Sequence, residues 1–120
     1  MRWAKVGVML VAAGLLTLWC APSSAAEPKV VVTIKPLHAL VSQVMAGVGT
    51  PVLLVKGLAS PHTYALRPSE ARALHDADLF VRMSETVEPF TARIVTSLPA
   101  SVAVVTLQQA PDLKLSLIHI

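Results

Sequence analysis

The chain has 120 residues, enough for one domain, with 54% hydrophobic residues and a formal charge of +3 from ten Lys or Arg against seven Asp or Glu. Removing Arg2 and Lys5 with the N-terminal segment described next leaves eight basic against seven acidic residues, or +1. The remaining basic residues are scattered, which excludes the basic stripe that nucleic-acid binding requires.

Met1-Arg2-Trp3-Ala4-Lys5 carries two positive charges, and Val6 to Trp19 is apolar or small apart from Thr17. Ser23-Ser24-Ala25-Ala26 then supplies small residues for cleavage after Ala26. This order marks residues 1–26 as a secretory signal peptide. A transmembrane anchor is the alternative, but the run falls short of the roughly 20 residues that span a bilayer. Cys20 is the only cysteine, and the bulky Trp19 before it argues against lipid attachment. Cleavage leaves no cysteine, so the mature chain offers no disulfide and no thiolate.

Lys29 to Ile34 is a run of mostly β-branched residues, the pattern of a strand buried on both faces. Pro36 stops it and suits the first turn of a helix. Leu37, Leu40, Val41, Val44 and Met45 then repeat as one helical face, and Gly47 and Gly49 end that helix. Val52 to Val55 reads as a second strand. A proline-punctuated loop, Gly57 to Arg67, leads to a second helix opening at Pro68-Ser69-Glu70 and running to about Ala77. Asp78 to Arg82 is a third strand. Val87, Phe90, Ile94 and Leu98 mark a third helix that Pro99 breaks, and Val102 to Leu107 is a fourth strand.

The order βαβαβαβ with short connections predicts an α/β fold, a four-stranded parallel sheet flanked by helices. Ligands bind such sheets beyond the carboxyl ends of the strands. Three loops lie at that edge, around His38, around His62 and around Ser84-Glu85. This geometry nominates His62. The folded lobe is expected over residues 27–114. Residues 115–120, Leu-Ser-Leu-Ile-His-Ile, match the translation of a common sequencing adapter and read as an adapter-derived or truncation tail; a genuine short strand or helix start is the alternative.

Zinc sites take three or four N, O or S ligands, and here histidines and carboxylates must supply them. On the residues alone, a surface or structural histidine is the stronger reading of His62, although Pro61 could hold its ring in place. His38 reads as capping or packing, His75 as a partner of a helix C-terminus, and His119 falls in the tail. Glu85 and Glu88 could reach the cleft or serve as solvated helix-start carboxylates, while Tyr64 and Arg67 would pin the loop. No phosphate loop, nucleophile elbow or paired carboxylate is present, which argues for binding over catalysis.

Three stretches carry a resemblance: Val32-Thr33-Ile34-Lys35-Pro36-Leu37-His38, the segment Gly57-Leu58-Ala59-Ser60-Pro61-His62-Thr63-Tyr64-Ala65-Leu66-Arg67-Pro68-Ser69-Glu70, and Ala77-Asp78-Leu79-Phe80-Val81. Over about residues 28 to 110 the chain resembles the start of the zinc ABC transporter periplasmic substrate-binding proteins. The resemblance implies half of a two-lobed metal-binding protein, with His62 as one metal ligand and the others on the linker side and second lobe. Some members carry a glutamate directly before the loop histidine, where this chain has Pro61. It further implies a non-enzymatic monomer in the periplasm that captures Zn²⁺ as cargo and delivers it to an ABC permease in the inner membrane. The rival readings are a Mn²⁺ or Fe²⁺ binding protein of the same family, a secreted α/β enzyme, or an adhesin-like protein.

Overall fold

Strands and helices alternate along the described residues: β1 (Val30–Val32), α1 (Lys35–Val44), β2 (Val52–Leu53), α2 (Pro68–His75), β3 (Leu79–Arg82), α3 (Thr91–Ser97) and β4 (Ala103–Thr106), closed by a 3₁₀ turn at Leu107–Gln109. The computed structural model describes residues 25–113. The segment expected to be a signal peptide, apart from Ala25 and Ala26, and the tail expected over 115–120 lie outside the described residues. Among the described residues no helix is long and apolar enough to cross a membrane.

The four strands are all parallel and lie in the order β2-β1-β3-β4. Val31 sits opposite both Val52 and Phe80, which fixes the register of the central pair. The ladder runs on beyond β2, with Leu54 N–H donating to Val32 and Val55 N–H to Thr33, each at 2.9 Å. The expected sheet is present, with β2 starting and β3 ending where expected and the other strand ends one or two residues shorter.

Crossovers between parallel strands are right-handed. From β1 the chain first moves one way to β2, then back across the sheet to β3 and on to β4. That reversal puts α1 on one face and α2 with α3 on the other. The two apolar clusters follow this division. Val31, Leu54, Leu74, Phe80 and Val102 form one, with Phe90, Ile94 and Leu98 packed against it. Val30, Val32, Leu37, Met45 and Val81 form the second, against α1. Alternate residues of β1 thus feed opposite cores, which is why its valines are uniformly buried. β2 and β4 are edge strands and alternate between exposed and half-buried residues.

Two expectations need correction. In α1, Leu37 and Met45 are buried, but Leu40 is 58% and Val44 85% exposed. One helix on a face of four strands cannot cover it. The outer part of the stripe instead borders an apolar groove of about 320 Å³ shared with Leu79, Val81 and Leu107. The third helix begins at Thr91, so Val87 lies in the preceding turn and is only half-buried.

Candidate metal site

The carboxyl edge of the sheet carries three connections, and the residues differ in how they are used there. In the first, Lys35 opens α1 and donates from Nζ to the Gly57 carbonyl at 2.6 Å, tying this connection to the loop after β2. His38 lies one turn into α1. Its Nε2 is 2.9 Å from the Pro51 carbonyl, and a carbonyl can only accept, so the ring proton sits on that nitrogen. His38 is therefore engaged in holding α1 to the start of β2, a structural role as the sequence suggested.

The second connection carries His62. Gly57 turns the chain with φ of +65°, a left-handed conformation that glycine adopts without strain. Leu58 to Ser60 are exposed, and a turn follows in which Thr63 N–H donates to the Ser60 carbonyl and His62 N–H to the Ser60 hydroxyl, both at 3.3 Å. The imidazole of His62 is exposed. Beside the loop lies a hollow of about 280 Å³ lined by Ile34, Lys35, Val55, Gly57 and Pro61.

Tyr64 closes the loop. Its hydroxyl lies 3.0 Å from the Leu54 carbonyl and 2.7 Å from Glu70 Oε1, and its ring packs on Phe90 with centroids 5.2 Å apart. Burial, then the hydrogen bond and charge of Glu70, push the Tyr64 hydroxyl above the usual tyrosine range. Glu70 Oε2 meanwhile accepts the Arg67 N–H at 2.9 Å, satisfying a donor at the start of α2. Arg67 therefore pins the loop through its backbone.

The third connection holds the residue that sequence reasoning misjudged. Glu88 was expected either to reach the cleft or to be solvated, yet it is fully buried. Its carboxylate accepts the Met83 and Ser84 N–H groups at 2.9 Å each and the Thr33 hydroxyl. Thr91 adds a bond from its hydroxyl to the Glu88 carbonyl at 2.7 Å and receives Arg82 Nη1 at 2.8 Å. Strand order reverses between β1 and β3, the position where parallel sheets usually bind ligands. Here Glu88 fills that crevice, and the available surface shifts outward to the His62 loop. A carboxylate placed after a strand gives no local signal of such burial. Glu85 remains exposed at the same edge, and His75 ends α2 at the opposite edge. A larger hollow, about 420 Å³, also lies at that opposite edge, and no histidine lines it.

Among the described residues no three His, Cys, Asp or Glu side chains gather around a common point. His62 is presented alone. Residues 30–117 match the family of zinc-uptake complex component A, periplasmic. The chain belongs to that family. It is 40% identical over 106 residues to the high-affinity zinc uptake system protein ZnuA of Brucella abortus, covering 88% of this chain and 32% of that protein. The ZnuA protein of Paracoccus denitrificans is 39% identical over 102 residues, covering 85% and 31%. The chain thus spans about a third of the length of these ZnuA relatives.

Solved structures agree on the fold. The metal-dependent lipoprotein YcdH of Bacillus subtilis superposes with a TM-score of 0.64 at 28% identity, over 71% of this chain and 32% of that one. The Zn(II)-bound ZnuA-like domain of Streptococcus pneumoniae AdcA gives 0.60 at 24% identity, over 64% and 29%. A Mn-bound periplasmic metal binding protein from Candidatus Liberibacter asiaticus gives 0.60 at 18%, over 69% and 32%. The sheet and its helices form one lobe of this two-lobed solute-binding fold. ZnuA-type chains are periplasmic binding proteins and not enzymes.

Proposed function

We propose that the chain belongs to a protein that captures Zn²⁺ in the periplasm and hands it to an ABC importer, with His62 donating one neutral imidazole nitrogen. The observation that carries this reading is an exposed histidine on a braced loop at the ligand edge, in a chain of the ZnuA family. A signal peptide over residues 1–26 would deliver it to that compartment. Zinc requires three or four donors, and one imidazole meets a fraction of that need. The remaining ligands would come from the linker side and a second lobe, within the two-thirds of the relatives' length that this chain does not match.

Two measurements test the reading. In a polypeptide extended to the relatives' length, His62→Ala should weaken Zn²⁺ binding clearly; unchanged affinity in calorimetry would sink the assignment. Residues 27–114 alone should bind Zn²⁺ weakly, because no three donors converge in them. Tight one-to-one binding in equilibrium dialysis would overturn that expectation.

A Mn²⁺ or Fe²⁺ cargo remains the second reading, supported by the Mn-bound protein that shares this fold. The ligands outside this chain decide between them, since added carboxylates favour the harder ions. Competition between Zn²⁺ and Mn²⁺ on the extended polypeptide distinguishes the two.

A further inference from the structure

We propose that Glu70 and Tyr64 form a clasp that positions His62 for metal, an inference that rests on the reading of His62 as a ligand. Each oxygen of Glu70 has a different task. Oε2 caps α2 through the Arg67 N–H at 2.9 Å, and Oε1 meets the Tyr64 hydroxyl at 2.7 Å. A helix cap needs only the first. The second reaches back into the loop and holds the side chain two residues beyond His62.

The clasp spans the base of the loop. The Tyr64 hydroxyl also lies 3.0 Å from the carbonyl of Leu54, a fully buried core residue ten positions earlier in the chain. Leu54 and Tyr64 therefore close the segment that contains Gly57 and His62. Lys35 holds the Gly57 carbonyl on one side and Phe90 supports the tyrosine ring on the other. A loop left open would sample many conformations, and a metal would have to order it on binding. With its base fixed to the buried Leu54, the loop presents the imidazole before metal arrives. Groups that hydrogen-bond a metal ligand directly typically change metal affinity by about ten- to a hundred-fold when removed, and a clasp acting through the loop backbone belongs at the low end of that range.

Proton geometry makes the clasp specific. One hydroxyl hydrogen is shared between two acceptors, with the shorter bond to Glu70 Oε1. Gln at position 70 could reverse the polarity: its amide N–H would donate to the Tyr64 oxygen, the Tyr64 hydroxyl would donate to Leu54, and its Oε1 would still accept Arg67 N–H. Glu70→Gln should therefore preserve the clasp, whereas Glu70→Ala, which removes one of the two hydroxyl bonds, and Tyr64→Phe, which removes both, should each loosen it. Tyr64→Phe leaves the helix cap intact and so separates positioning from capping.

The test uses the full chain and NMR, and its first arm contains no metal. Amide exchange at His62 and Thr63 should speed up about tenfold in Glu70→Ala and in Tyr64→Phe, with Glu70→Gln close to the parent. Exchange at Val31 and Phe80 should be unchanged. In the second arm, run on a polypeptide extended to the relatives' length, the His62 ring signal is followed against added ZnCl₂. Zn²⁺ affinity should fall about tenfold in the two clasp-breaking variants and recover in Glu70→Gln. Unchanged exchange at His62 and Thr63 in both breaking variants overturns the clasp, as does a Glu70→Gln variant that behaves like Glu70→Ala. A parent His62 signal that ignores Zn²⁺ overturns the metal reading instead, since the exchange arm judges the clasp without it.

Discussion

The hydroxyl of Thr33, at the end of β1, donates to the buried carboxylate of Glu88, fifty-five positions later in the chain. This bond joins the two central strands at the edge where the candidate ligand sits. Thr33→Val keeps the shape and removes the donor, and should cost about 1–2 kcal/mol. Glu88→Gln turns an amide N–H₂ toward groups that are themselves donors, and should cost about 3 kcal/mol. Urea denaturation of both variants measures this, and a neutral Glu88→Gln would mean that the carboxylate is not buried as described.

The uneven coverage of the sheet gives α1 two kinds of apolar residue. Leu37 is 1% exposed and Val44 is 85% exposed. Leu37→Ala should cost about 2–5 kcal/mol, whereas Val44→Lys should change stability by no more than about 0.5 kcal/mol. Equal losses in thermal unfolding would contradict the observed packing of α1.

Backbone strain at Gly57 can be tested in isolation. An added Cβ would meet no atom within 4 Å, so the positive φ is the only obstacle. Gly57→Ala should cost about 1 kcal/mol through that conformation. A stabilised variant in urea denaturation would show that the turn does not need a left-handed residue.

Tyr64 sets an alkaline limit to stability. An unfolded tyrosine ionises near the ordinary value of 10.0, and the native one holds its proton to higher pH. The contribution is complete below about pH 10 and is lost as pH rises through the native value, because the unfolded state releases its proton first. Tyr64 is the only tyrosine in the chain, so phenolate absorbance reports it alone. It should titrate at higher pH in the native chain than in urea, and Tyr64→Phe should remove the associated loss of stability. Coincident titrations would refute the assignment.

The alternation of strands and helices was legible because each element carries its own local signal. β-branched runs announced the strands, Pro36 and Pro68 the helix starts, and the topology then placed His62 at the ligand edge. What escaped prediction was set by distant parts of the chain. Glu88 is buried because Thr33, Met83 and Ser84 offer it donors, and nothing in the residues flanking Glu88 reveals that. Leu40 and Val44 belong to a regular apolar stripe, yet their exposure depends on how many helices share that face of the sheet. Glu70 was legible as a helix-start residue, but its bond to Tyr64 was not, because the first role already accounted for it.

His62 follows β2, an edge strand of two residues that, among the described residues, pairs only with β1. The segment proposed to touch the cargo is therefore an interchangeable part, bolted to the sheet at Leu54 and to α2 at Glu70. Its length and donor atoms can diverge between these fixed points while the valines of β1 and the ring of Phe80 stay as they are. A lineage could change the one donor this lobe contributes by rewriting one short loop, without rebuilding the framework that carries it.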